Sequence, residues 1–107
     1  MAQFVAVLKL AEVPPGSMRA CMVAGRELVI CRTREGVFAL DNICTHAETR
    51  LCEGRLHGTR LVCPLHGACF DVRDGRVLRP PAEMPLATHA VRVIAATIEV
   101  AASLPPA

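Results

Sequence analysis

Short apolar runs, broken by turn residues about every ten positions, fill both ends of this chain, and that spacing belongs to antiparallel β structure. Residues 4–10 (FVAVLKL) read as a strand closed by Val13-Pro14-Pro15-Gly16-Ser17. Met18–Ala24 and Glu27–Arg32 are two further strands across a Gly25-Arg26 turn, and Val37–Leu40 follows the turn Thr33-Arg34-Glu35-Gly36. At the far end, 88–94 and 97–101 form a last pair rich in β-branched residues. The middle differs. From Asp41 to Pro81 the apolar runs are short and turn residues dense, with room for two small hairpins, 55–57 with 60–63 and 70–72 with 76–78. The best helix candidate, Ala47–Cys52, is too short to stand alone. The expected fold is therefore all-β: an antiparallel β-sandwich, one domain over 1–107, with a small loop-rich subdomain over about 42–81 inserted in it.

Composition narrows the function. With 107 residues the chain can build one core. Hydrophobic residues make up 52% and charged ones 21%, which excludes intrinsic disorder. A net charge of +2 implies no polyelectrolyte partner, and three aromatics (Phe4, Phe38, Phe70) leave little with which to stack bases, so no nucleic-acid partner is expected. No apolar stretch approaches the roughly 18 residues of a membrane span, and Met1–Leu10 lacks the pattern of a signal peptide. The expectation is a cytoplasmic protein without a membrane partner. In that reducing compartment six cysteines suggest metal ligands and buried thiols before disulfides.

Two of them stand beside histidines. Cys44-Thr45-His46 and Cys63-Pro64-Leu65-His66 each follow a predicted strand, so each forms a loop projecting from the β framework. Each offers one thiolate and one imidazole, and two such loops tip to tip make a Cys₂His₂ site. Pro64 stiffens the second loop and Gly67 permits a tight turn beside it. Structural zinc accepts the same donors, usually as two Cys followed by two His. The alternating order Cys, His, Cys, His suits two neighbouring metals better. A zinc-stabilised interaction module is the alternative from a different class.

The run CTHAETRLCEGRLHGTRLVCPLHGACFDVRDGRVLRPPA, Cys44 to Ala82, resembles the cluster-binding subdomain of Rieske [2Fe–2S] proteins, down to Glu53-Gly54, His66-Gly67, Phe70-Asp71, Asp74-Gly75 and Pro80-Pro81-Ala82. In length and layout the whole chain is similar to the small Rieske-type ferredoxins of bacterial ring-hydroxylating dioxygenase systems. The resemblance implies a Rieske-type β-sandwich with one [2Fe–2S] cluster per chain. It places Cys44 and Cys63 on one iron and His46 and His66 on the other, the histidines near the surface, with the Pro80-Pro81 loop over one side. It also implies an electron carrier, not an enzyme: a monomer passing single electrons from a ferredoxin reductase to a terminal oxygenase. A nitrite reductase small subunit is the alternative within the family, disfavoured because all four ligands are present.

Charge explains the ligand choice. Two ferric ions, two sulfides and two thiolates sum to zero with neutral imidazoles, whereas four thiolates give a dianion that resists an added electron. Rieske centres accordingly span roughly −150 to +300 mV against about −400 mV for plant-type clusters. High-potential members carry an extra Cys in each cluster loop and hydroxyl donors to the sulfurs. Here those positions are Leu65, Ala68 and Phe70, which points to the low-potential, ferredoxin-like branch. Cys52 and Cys69 read as free buried thiols, Cys21 and Cys31 as core, and His57 and His89 as surface residues. Partner docking is expected over a rim of Ala47, Pro64, Leu65 and Pro81.

Overall fold

A computed structural model describes residues 3–45, 48–65 and 67–101. Ten strands form: β1 (Val5–Lys9), β2 (Met18–Val23), β3 (Arg26–Thr33), β4 (Gly36–Asp41), β5 (Arg55–His57), β6 (Arg60–Val62), β7 (Cys69–Asp71), β8 (Val77–Arg79), β9 (Thr88–Ile94) and β10 (Thr97–Ala101). Single 3-10 turns at Leu10–Glu12 and Leu51–Glu53 are the only helical pieces among the described residues. All pairings are antiparallel, in a six-stranded sheet ordered β1-β10-β9-β4-β3-β2 and a four-stranded sheet ordered β5-β6-β7-β8.

The period of two along β3 builds both cores. Leu28 and Ile30 face one way, into a cluster with Val23, Ala39, Ile98 and Val100; Val29 and Cys31 face the other, toward Leu40, Leu51, Leu61 and Phe70. The first cluster joins residues of β2, β3 and β4 to residues of β10. The large sheet must therefore fold over on itself, and it does so at the seam between β4 and β9, where only Ala39↔His89 and Leu40↔Thr88 pair. The two layers of the scaffold are the two halves of one curled sheet. The all-β expectation thus holds.

The second cluster binds the small sheet to this scaffold. Leu56, Leu61, Phe70 and Val77 lie in one cross-strand row and turn inward together. Strands of three residues are too short to persist alone. Burying Leu61 and Phe70 completely supplies roughly 1.5–3 kcal/mol each, which is what holds them.

Two turns differ from the sequence reading. The β2–β3 turn is Ala24-Gly25, both with positive φ (51° and 79°), one residue earlier than Gly25-Arg26. Ala95-Ala96 turn β9 into β10 with φ of 49° and 63°, a left-handed pair without glycine or asparagine to announce it. A third difference is His89, which is buried and not at the surface. It sits on the β4–β9 seam, and its Nε2 lies 2.9 Å from Asp41 Oδ1. Arg26 clamps the same carboxylate with two hydrogen bonds of 2.8 Å. Burial works to raise the Asp41 carboxyl, but the hydrogen bonds and charge attraction from Arg26 and His89 together outweigh it and hold it below the usual range.

Candidate metal centre

The segment after β4 turns back on itself. Leu51 N–H donates to Asn42 O (2.6 Å), Ile43 bridges to Arg50, and Cys44 N–H donates to Thr49 O (2.9 Å). These rungs make residues 42–51 a closed loop with Cys44 at the last rung before its tip. Asn42, completely buried, fixes the base. Its Oδ1 accepts from Cys52 N–H (2.8 Å), and its Nδ2 donates to Glu27 Oε1 (2.9 Å) and to Cys52 Sγ (3.2 Å). A buried amide with every group satisfied permits one arrangement of the chain around it. At the tip, Thr45 Oγ1 donates to Met84 O (2.7 Å), tying the loop to the segment after Pro80-Pro81.

The second loop runs from β6 to β7. Cys63 N–H donates to Ala68 O (2.7 Å), closing residues 63–68, and Gly67 supplies a φ of +71° inside that loop. Leu65 N–H points at Cys63 Sγ at 3.4 Å. Between the loops stands Gly54. A Cβ there would collide with Val62 O and lie 3.1 Å from Pro64 Cδ, so the end of the first loop rests directly on the backbone leading into Cys63.

This packing brings Cys44 and Cys63 together. Both are almost completely buried, and their thiols are within hydrogen-bond reach of each other. Burial first, and then the neighbouring Cys44, push the Cys63 thiol up, against the opposing hydrogen bond from Leu65 N–H. His46, His66 and Ala47 lie outside the described residues, and among the described residues no three ligating side chains converge. Two buried thiols side by side on separate loops, one facing a backbone N–H, fit the sulfur half of an iron–sulfur site: thiolate ligands, with an N–H···S bond stabilising charge on the sulfur.

The profile of the Rieske [2Fe–2S] domain family matches residues 3–90. The chain belongs to that family. This Rieske protein is 34% identical over 91 residues to the ferredoxin component of a naphthalene 1,2-dioxygenase system of Pseudomonas aeruginosa, covering 85% of this chain and 88% of the relative. Its structure is similar to the ferredoxin of carbazole 1,9a-dioxygenase from Nocardioides aromaticivorans IC177 (TM-score 0.91, 35% identity, 95% of this chain and 100% of that one). It is also similar to a chain in a complex of reduced oxygenase and oxidised ferredoxin of carbazole 1,9a-dioxygenase (TM-score 0.86, 30% identity, 92% of each chain). The Rieske fold carries a [2Fe–2S] cluster, and the positions after the second ligand loop, Ala68 and Phe70, are buried without a hydroxyl.

The remaining cysteines are free thiols among the described residues. Cys31 is completely buried, and burial pushes its thiol up to about 12. Cys21 is half-buried and raised for the same reason. Both are core, as the sequence suggests, and His57 is exposed. Cys52 does more than fill space, since it accepts the Asn42 hydrogen bond. Serine can accept the same bond. Cys52→Ser and Cys69→Ser, singly or together, are therefore expected to keep iron and sulfide per chain within about a tenth of wild type, because substitutions that leave every polar group satisfied cost little. A bleached spectrum in either variant contradicts this. Sequence reading passed over Asn42 and named Gly54 only as part of the family resemblance, without a role. Their only signals are an asparagine two residues before Cys44 and a glycine nine before Cys63.

Proposed function

We propose that this Rieske protein is a one-electron carrier, the ferredoxin of a ring-hydroxylating oxygenase system, in which Cys44 and Cys63 hold one iron and His46 and His66 the other. The observation that carries the reading is the pair of adjoining buried thiols on two braced loops, in a chain similar to dioxygenase ferredoxins over most of both lengths. When bound, a Rieske cluster accepts and releases one electron with a complete ligand shell, so it has no open position for substrate. The chain's own residues supply the rest. Asn42 and the loop rungs hold Cys44 in place, and Leu65 N–H steadies Cys63. The closed loops keep water from the sulfurs, and Ala68 and Phe70 withhold the hydroxyl donors that would raise the potential. The cluster-bearing subdomain spans about 42–81, which contains all of β5–β8. The partners are a reductase and a terminal oxygenase, and the carrier works as a cytoplasmic monomer. No described helix is long and apolar enough to cross a membrane.

Absorption spectroscopy with iron and sulfide analysis tests the reading. A brown protein with two irons and two sulfides per chain, reduced by one electron, is expected. A colourless protein holding one zinc overturns it in favour of a structural metal module.

The loops expose apolar residues, Leu65 (41%), Met84 (64%), Pro64 and Pro81, with the carboxylates of Glu48 and Glu83 on the same segments. A transient partner suits such a patch, which dehydrates readily and holds weakly over about 1,200 Å² or less. Leu65→Glu places a charge one residue before His66 without altering a ligand. Electron transfer to the oxygenase at low carrier concentration is expected to slow about tenfold with the visible spectrum intact, since an unpaired interfacial charge costs on the order of 1–3 kcal/mol. A wild-type rate in stopped-flow reduction of the oxygenase moves the docking surface elsewhere.

A further inference from the structure

The solvent side of the β5–β8 sheet is an arginine surface. With Leu56, Leu61, Phe70 and Val77 turned inward, the register turns two other rows to the opposite side: Arg55, Val62, Cys69 and Arg79, then His57, Arg60 and Asp71, of which Cys69 and Asp71 are covered. Arg55, His57, Arg60 and Arg79 are exposed. The one carboxylate in these rows, Asp71, is nearly buried and already taken. Arg73 binds it at 2.8 and 3.0 Å, and Arg76 approaches at 3.6 Å. Asp74, on the adjoining turn, faces Arg76 at 3.9 Å.

Elsewhere in the protein all arginines but Arg34 are matched. Arg19 meets Glu12, Arg26 meets Asp41, Arg50 meets Glu27 and Arg92 meets Glu99, while Arg32 donates to the carbonyls of Leu10 and Val13. Besides Arg32, four arginines meet no carboxylate among the described residues: Arg55, Arg60, Arg79 and Arg34. Three are on the small sheet. The fourth lines a hollow together with Gly58 and Thr59 of the β5–β6 turn. The arginines left without a carboxylate or carbonyl partner are thus gathered on and beside one small sheet, while the single lysine, Lys9, lies on β1 of the large sheet. Stability does not ask for this, since interleaved carboxylates would relieve the repulsion. The carboxylates without an ion pair, Glu48, Glu53 and Glu83, sit on the bounding loops and not in these rows. The face also borders the metal centre, because Val62 leads directly into Cys63 and Arg55 directly follows Gly54.

We propose that the outer face of the β5–β8 sheet, through Arg55, Arg60 and Arg79, docks the acidic surface of an electron-transfer partner and steers it toward the adjoining cluster loops. The inference rests on the electron-carrier reading and adds the sign of the partner's charge and the face it meets. Steering of this kind acts on the encounter rate and is screened by salt.

Two haem proteins of opposite charge serve as probes for the reduced, cluster-loaded chain: the acidic soluble domain of cytochrome b5 and the basic cytochrome c. Second-order oxidation rates are followed by stopped flow from roughly 0.02 to 0.3 M ionic strength, a span over which the Debye length shrinks to well under 10 Å. With cytochrome b5 the rate is expected to fall about tenfold across that range. The variant Arg55→Gln/Arg60→Gln/Arg79→Gln is expected to lose most of that low-salt advantage with its spectrum unchanged. A charge-matched control on the large sheet, Lys9→Gln/Arg19→Gln/Arg92→Gln, is expected to keep it. Equal loss in both variants, or loss in neither, overturns the assignment. Should the face variant fail to load its cluster, the wild-type profile decides: a rate with cytochrome b5 that is flat or rises with salt overturns the proposal, and a falling one upholds it. No electron transfer to either haem protein at any salt overturns the carrier reading itself.

Discussion

His46→Cys or His66→Cys is expected to yield a protein whose cluster either falls in potential by roughly 100 mV or more or does not assemble, following the gap between Rieske and all-thiolate centres. The reason is electrostatic. Each neutral imidazole that becomes a thiolate adds a negative charge to the oxidised site, and an electron enters an anion less readily than a neutral centre. The surroundings make this worse. Cys44 and Cys63 are buried together, and Leu65 N–H already faces Cys63 Sγ at 3.4 Å. A third thiolate would add its charge beside two sulfurs already withdrawn from water. Protein-film voltammetry, with iron and sulfide counted per chain, reads both possibilities. An assembled variant with an unchanged or higher potential would remove the imidazoles from the ligand set, and with them the reason for placing two irons here.

What could be read in advance followed the range of the interactions involved. The strands of the scaffold were legible because period-two burial and turn chemistry are local: β3 alternates between two cores, and Leu28, Val29, Ile30 and Cys31 show it residue by residue. The small hairpins were legible from Gly58 and from Asp74-Gly75 for the same reason, although the second pairs 69–71 with 77–79, one residue outside the expected 70–72 with 76–78. Local rules failed where long-range contacts override them. Ala95-Ala96 accept left-handed φ because the flanking Ile94↔Thr97 pair is anchored in the sheet and Ala96 O accepts from Leu10 N–H at 2.8 Å. His89 looked like the exposed start of a strand, but it is buried because the curled sheet closes at its position. At the candidate site, the Cys and His spacings announce ligands, since their chemistry is carried by residue type. The residues that brace those ligands carry no such chemistry. Asn42 acts through partners 10 and 15 positions away in sequence, and Gly54 through a strand it does not belong to.

Gly54 provides the larger test of how the two ligand loops are held. Gly54→Ala is expected to lower cluster content to less than about half and to cost on the order of 1–3 kcal/mol, the range for forcing a methyl group into packed structure. In a domain of this size each kcal/mol lowers Tm by about 4–8 °C. The φ of Gly54, −89°, is not left-handed. Contact sets a cost of its own: a Cβ would drive into Val62 O, a backbone atom of β6, and crowd Pro64 Cδ at 3.1 Å. A backbone carbonyl paired in a sheet cannot swing aside as a side chain can, so either the 3-10 turn Leu51–Glu53 or β6 must move. Each is joined to one cysteine. The turn is pinned to Asn42 through Leu51 N–H and Cys52 N–H, two residues before Cys44, and Val62 precedes Cys63. Relief of the clash therefore separates the thiols that the site needs side by side. Gly58→Ala separates this effect from general destabilisation. Its φ is +59° with open space around the new methyl, so it costs roughly 1–2 kcal/mol of left-handed strain without pressing on either loop. Both variants should melt earlier, while only Gly54→Ala should lose iron and sulfide. Full cluster content in Gly54→Ala, or equal loss in Gly58→Ala, would show that the spacing of the cysteines is not set by this contact.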